Sequence, residues 1–115
     1  MVVDSLSTTF MALSDPTRRA ILGRLAHGPA SVSELTAPFA MSQQAISKHL
    51  AYLERARLIE KQRHGRQRLC MLNPAPFSDV TGWVEGCREF WAQSFGRLDA
   101  VLEEMKQEEN PHGKP

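Results

Sequence analysis

Residues 41–56 read MSQQAISKHLAYLERA, and the two faces of this stretch differ enough in chemistry to place the rest of the chain around it. Ser42 suits an N-cap, because its hydroxyl can accept a bond from an orphan N–H of a first helical turn. No Gly or Pro interrupts the fourteen residues that follow. The pattern predicts a helix over about 42–56. Ile46, Leu50 and Leu53 recur at i, i+4 and i+7, with Ala45 and His49 at the edges, giving one narrow apolar stripe that can dock on a core. The opposite face carries Gln43, Gln44, Ser47 and Lys48, with Tyr52 one turn later beside it. Amides, a hydroxyl and an ammonium can bond base edges and phosphates in a major groove. Taken alone, such a helix is more often an ordinary solvated surface helix, so its flanks decide.

Upstream, Ser31-Val32-Ser33-Glu34 has the form of a capping box and predicts a short helix carrying Val32, Leu35 and Phe39 inward, limited in length by Pro38. Residues 39–41 are then a turn between two helices, the spacing of a helix-turn-helix. Downstream, residues 58–63 and 67–72 flank His64-Gly65-Arg66 with partly strand-like alternation, which predicts a two-stranded hairpin, or wing, over about 58–72. Lys61, Arg63, His64, Arg66 and Arg68 crowd positive charge onto this small projection. Its self-repulsion calls for a compensating anion, and phosphate is the obvious one.

The N-terminal part reads as packing. Leu6, Phe10 and Leu13 fall at i, i+4 and i+7 of a short helix over 4–13. Asp15-Pro16 supplies a cap and a first-position proline for a second helix whose buried stripe is Ile21, Leu22 and Leu25 and which stops at Gly28-Pro29. Thr17 and Arg18 at its start suit either a phosphate clamp or a capped, solvated first turn.

From Phe77 the period becomes a heptad: Phe77, Val80, Val84, Cys87, Trp91, Ser94, Leu98, Val101 and Met105. At ~1.5 Å per residue such a helix, over about 76–107, is roughly 43 Å long across this stripe, more than a small domain needs to cover its own core. Trp83, Phe90, Phe95 and Leu102 widen the apolar surface, so a partner is implied, and a second copy of the chain is the cheapest one. Gly82, Gly86 and Gly96 either admit a close neighbour or break the helix locally. Residues 108–115 are expected to form a disordered tail.

A chain of 115 residues is one domain by size. With no run of eighteen apolar residues and no leader-like N-terminus, it is expected in the cytoplasm and off the membrane. Charge is divided unevenly. Residues 1–76 carry ten Lys or Arg against five Asp or Glu, and residues 77–115 carry four against eight. A basic half and an acidic half suit a protein that lays one end on a polyanion. Cys70 and Cys87 lack the spacing of a metal knuckle or redox pair and are most simply buried thiols. No nucleophile–base–orienter set and no Gly-rich phosphate loop is visible, so neither a catalytic residue nor a cofactor is expected.

Three stretches together resemble the ArsR-type family of winged helix-turn-helix repressors. They are Ala12-Leu13-Ser14-Asp15-Pro16-Thr17-Arg18-Arg19-Ala20-Ile21-Leu22, the run Ser42-Gln43-Gln44-Ala45-Ile46-Ser47-Lys48-His49-Leu50, and the step from Leu53 through Leu58-Ile59 to His64-Gly65-Arg66. The resemblance covers most of the chain. It implies a mainly α fold with a small β-hairpin: a winged helix-turn-helix with N- and C-terminal dimerisation helices, a single domain over 1–107. It implies a homodimer held by Leu6, Phe10, Val84, Cys87, Trp91, Leu98, Val101 and Met105, and a partner in double-stranded DNA. Ser42, Gln43, Gln44, Ser47, Lys48, His49 and Tyr52 would be the reading residues, and Thr17, Arg18, Lys61, Arg63, His64, Arg66 and Arg68 the phosphate contacts. The family pattern puts His49 near DNA, whereas its spacing from Ile46 and Leu53 puts it at the core edge, the placement preferred here.

Many relatives sense metals through cysteines before the recognition helix or through His and carboxylates on the terminal helix. Ser33-Glu34-Leu35-Thr36-Ala37-Pro38 has no thiol, and the terminal helix has no histidine before His112, so neither site is expected. The family often has glycine where Arg57 stands, so the recognition helix is expected to end differently here. Two other readings stay open: a thiol-responsive repressor using Cys70 or Cys87, and a winged-helix module that docks on protein. The effector is not legible.

Overall fold

The computed structural model describes residues 4–109. In chain order the elements are α1 (Ser5–Leu13), α2 (Pro16–Leu25), β1 (Ala30–Ser31), α3 (Val32–Thr36), α4 (Gln43–Arg55), β2 (Ile59–His64), β3 (Gln67–Leu72) and α5 (Ala75–Glu109). Helices α2, α3 and α4 begin at the caps their sequence signals, and Asp4 caps α1 in the same way. Asp4 accepts from Ser7 N–H at 2.8 Å, Asp15 from Arg18 N–H at 2.9 Å, and Ser42 from Ala45 N–H at 3.1 Å. At α3 the capping box is complete, with Ser31 Oγ and Glu34 Oε1 each accepting from the other's backbone N–H.

The core draws on α1 to β3. Ile21, Leu22 and Leu25 of α2, Leu35 of α3, and Ile46, Leu50 and Leu53 of α4 are buried together with Ala12, Ala30, Leu58, Ile59 and Cys70. The α2 and α4 stripes are those the spacing predicts. In α1 the buried positions are Thr9 and Ala12 instead of the expected stripe. Leu6 and Leu13 are half-buried and Phe10 is 37% exposed. Thr9 is tolerated inside because its hydroxyl donates to the Ser5 carbonyl at 3.0 Å.

The wing belongs to a three-stranded antiparallel sheet in the order β1-β3-β2, not to a two-stranded hairpin. Ala30 pairs with Cys70 and Ser31 with Leu69, so Ala30 and the capping residue Ser31 cover the edge of β3 that β2 leaves open. The hairpin closes more tightly than expected. His64 pairs with Gln67, which leaves Gly65 and Arg66 as a two-residue turn, and Gly65 has the positive φ of 63° that such a turn favours in its first position.

The end of α4 departs from the sequence expectation in the opposite sense. Arg57 N–H donates to the Glu54 carbonyl and Leu58 N–H to the Leu53 carbonyl, both at 3.0 Å, the paired bonds of a Schellman cap. Arg57 therefore occupies the left-handed position itself, with φ 63°. Burial of Leu58 and Ile59 directly after it, and Asn73, whose side chain donates to the Arg57 carbonyl at 2.8 Å, hold the turn. Replacing Arg57 by Gly is expected to raise stability by about 0.5–1 kcal/mol, because the side chain's left-handed strain disappears. Denaturant unfolding with an unchanged m value would measure it, and a loss of stability would mean that the Arg57 side chain makes compensating contacts.

Helix α5 runs unbroken for 35 residues, about 52 Å at ~1.5 Å per residue, through all three glycines. The chain divides into two compact units after Val80, inside this helix. Pro76 is buried and Phe77 packs against the core of the first unit. Beyond Val80, Trp83, Val84, Phe90, Trp91, Phe95, Leu98, Val101, Leu102 and Met105 are all exposed, and Cys87 and Ser94 are half-buried. The helix continues through residues 108 and 109, two residues into the expected tail, and residues 110–115 lie outside the described ones. No described helix is long and apolar enough to cross a membrane.

Candidate nucleic-acid interface

The capping box starts α3, the turn over residues 37–42 follows, and Ser42 starts α4, so α4 rests on the core mainly through its buried Ile46, Leu50 and Leu53, with Tyr52 packed at the edge. Its other face is open. Gln43, Gln44, Ser47 and Lys48 are all exposed, and among the described residues none of their side chains has a hydrogen-bond or ion-pair partner. Two amides, a hydroxyl and an ammonium are thus displayed within about 1.5 turns with their bonding capacity unspent. Ser42 is more occupied, since its Oγ accepts the cap bond, although its hydroxyl proton can still be donated.

Of the other residues named as possible DNA contacts, Tyr52, Arg18 and Thr17 are engaged within the chain, and His49 sits at the core edge as its spacing implies. His49 is half-buried at the core edge, its Nδ1 3.8 Å from Asp15 Oδ2. The bond from Arg18 N–H, with His49 and the Arg18 guanidinium nearby, holds the Asp15 carboxyl below its ordinary value, so it is an anion at neutral pH. Tyr52 is half-buried between two guanidiniums, Arg18 at 4.1 Å from the ring centre and Arg55 at 5.9 Å. Arg18 is not free to clamp phosphate in this arrangement. Its Nε donates to the Ala12 carbonyl at 2.7 Å and its Nη2 to the Met11 carbonyl at 3.0 Å, closing the C-terminal end of α1. The start of α2 already holds the Asp15 carboxylate, which satisfies the helix pole that a phosphate would need. Thr17 is half-buried there, its hydroxyl 3.9 Å from Met41 Sδ.

The wing divides in a similar way. Lys61 is half-buried, its Nζ 3.9 Å from Glu54 Oε1, so this ammonium is partly neutralised within the chain. Arg63, His64, Arg66 and Arg68 are exposed, and among the described residues no carboxylate lies within ion-pair distance of the three arginines. Arg63 and Arg68 stand directly opposite each other across the ladder. Like charges so placed cost about 0.2–1 kcal/mol, an expense that folding alone does not explain.

Cys70 is fully buried opposite Lys61, and burial pushes its thiol above the ordinary value, which keeps it protonated and unreactive. Cys87 is half-buried on α5. Among the described residues no three His, Cys, Asp or Glu side chains converge as a metal site would require.

A stripe-anchored helix with an unspent polar face, preceded by a short capped helix and followed by a basic two-residue-turn wing, defines the winged helix-turn-helix class. A family model described as a helix-turn-helix domain matches residues 13–62. The chain is 46% identical over 85 residues to the HTH-type transcriptional regulator Rv2034 of Mycobacterium tuberculosis, covering 74% of this chain and 77% of that one. It is 34% identical over 79 residues to the transcriptional repressor SdpR of Bacillus subtilis, covering 69% and 88%. Among solved structures, the ArsR family transcriptional regulator RHA00566 is similar with a TM-score of 0.71 at 44% identity, over 77% of this chain and 98% of that one. An ArsR-like transcriptional regulator from Rhodococcus sp. RHA1 has a TM-score of 0.69 at 30% identity, over 84% and 92%. The chain belongs to the ArsR family of helix-turn-helix transcriptional regulators, a DNA-binding family and not an enzymatic one.

Proposed function

We propose that the protein is a repressor that binds a pseudo-palindromic operator as a homodimer, with two copies of α4 entering successive major grooves and the wings resting on flanking phosphates. The observation that carries this reading is the unspent polar face of α4, Gln43, Gln44, Ser47 and Lys48, beside a wing whose arginines have no carboxylate partner among the described residues. The apolar heptad face of α5, with Leu6 and Phe10 of α1, supplies the surface that pairs the two copies. Repression is steric: an occupied operator overlapping a promoter excludes polymerase. The buried, protonated Cys70 speaks against thiol control at that position and leaves Cys87 as the only thiol for such a variant among the described residues.

Reader and clamp are expected to fail differently. Gln44→Ala loses roughly 1–3 kcal/mol on an operator selected from random DNA and almost nothing on unselected DNA, because a base-edge bond is forfeited only where the right base stands. Binding titrations on both DNAs measure this. A Gln44→Ala protein with equal losses on both would remove α4 from the groove, and absence of any salt-dependent DNA binding would favour docking on a protein instead.

A further inference from the structure

His49 and Tyr52 lie one turn apart on α4, and both are held by residues from the N-terminus of α2. Asp15 faces His49 at 3.8 Å, and Arg18 lies over Tyr52 at 4.1 Å. The two α2 residues are themselves linked, Asp15 accepting from Arg18 N–H at 2.9 Å. Arg18 uses one edge of its guanidinium on α1, donating from Nε to the Ala12 carbonyl and from Nη2 to the Met11 carbonyl. One planar group thus touches three helices: it is rooted on α2, bonded to the end of α1 and stacked on α4.

We infer that Arg18, with Asp15, is a positioning element that sets the azimuth of α4 against α1 and α2. This inference rests on the reading of α4 as the helix that enters the groove. A narrow stripe of Ile46, Leu50 and Leu53 fixes how deeply α4 sits but resists rotation about its own axis only weakly, because three apolar side chains in a row act as a hinge line. Contacts off that line fix the rotation, and His49 and Tyr52 are off it. The planar fork suits the task, since one edge makes two hydrogen bonds in fixed directions while the face stacks on an aromatic ring. A lysine keeps the charge but supplies neither the fork nor the face. Where α1 contributes to the subunit interface, the same guanidinium also ties that interface to the reading helix.

Arg18→Lys is the test, read on an operator fragment obtained by selection and on random DNA, each across a salt series. The operator affinity is expected to fall roughly 2- to 30-fold, with random DNA within about twofold and an unchanged salt slope. Ile59→Val, a core change on β2 with a comparable stability loss, is expected to leave the ratio of the two affinities unaltered. Loss on both DNAs with a lower slope would make Arg18 a phosphate contact and overturn the inference, as would an unchanged ratio. Should Arg18→Lys not fold, Tyr52→Leu is expected to reproduce the loss and Tyr52→Phe to retain the ratio. A Tyr52→Phe loss equal to that of Tyr52→Leu, or no loss in either, contradicts a stacking role. The double variant Arg18→Lys with Tyr52→Leu should be little worse than the poorer single one, and additive losses contradict a shared contact. Gln44→Ala measured alongside separates the two levels: if α4 is not the reading helix it loses no specificity either, whereas if only the positioning role is wrong it alone does.

Discussion

Trp91→Ala combined with Leu98→Ala is expected to abolish assembly at micromolar concentration and, with it, tight operator binding. Both side chains are about half exposed on α5, at 53% and 51%, in a helix otherwise lined by exposed Val84, Val101 and Met105 on the same heptad face. Two-fold symmetry doubles every loss. At about 2 kcal/mol for each large side chain truncated in an interface centre, four truncations per dimer amount to about 8 kcal/mol, more than five decades in the dissociation constant. Sedimentation and operator titration measure the two consequences. A wild-type protein that sediments as a monomer with α5 intact would remove the rationale for its exposed apolar face.

Removing the wing's charge should give the second large effect. With Arg63, Arg66 and Arg68 all changed to Gln, the slope of log affinity against log salt is expected to fall by as much as about 5 units for a dimer, at roughly 0.9 per phosphate contact. Counterion release alone is then worth up to about four decades near 0.15 M salt. Selected and random DNA should weaken alike, which distinguishes this clamp from the reading face of α4. The fold itself should not suffer, because the Arg63–Arg68 opposition across the ladder is relieved. An unchanged salt slope would place these arginines away from DNA.

The parts of the fold that are legible in the sequence are those governed by local rules. Ser42, Asp15 and Ser31 cap the helices they precede, because the capping bond spans three residues and needs nothing from the rest of the chain. The α4 stripe and the α5 heptad follow from helical period alone. Strand β1 is hidden from such reasoning. Two residues, Ala30 and Ser31, have no period, and they are a strand only because β3, forty residues away, offers an edge. Arg57 shows tertiary context overriding a local preference, since burying Leu58 and Ile59 requires the left-handed turn whatever residue occupies it.

The candidate site was legible in its chemistry and less so in its allocation. Gln43, Gln44, Ser47 and Lys48 are displayed as their spacing implies, and the preference for His49 at the core edge matches its half-buried position. Arg18 and Tyr52 look like polar surface residues in the sequence, yet they find each other across 34 positions. Helical periodicity carries no information about a pair so far apart.

The three glycines of α5 have a consequence for how the protein responds to its own abundance. A Cβ built at Gly82, Gly86 or Gly96 would meet nothing within 4 Å in the single chain, so none of the three relieves crowding there. Each instead weakens the lone helix by about 1 kcal/mol relative to alanine, and beyond Val80 most of the apolar side chains that could offset this are exposed. In the proposed homodimer, order in α5 and pairing of subunits therefore arise together, and both scale with concentration. Operator occupancy would then climb more steeply than in proportion to the number of chains, giving a dosage threshold whose sharpness depends on three glycines of α5.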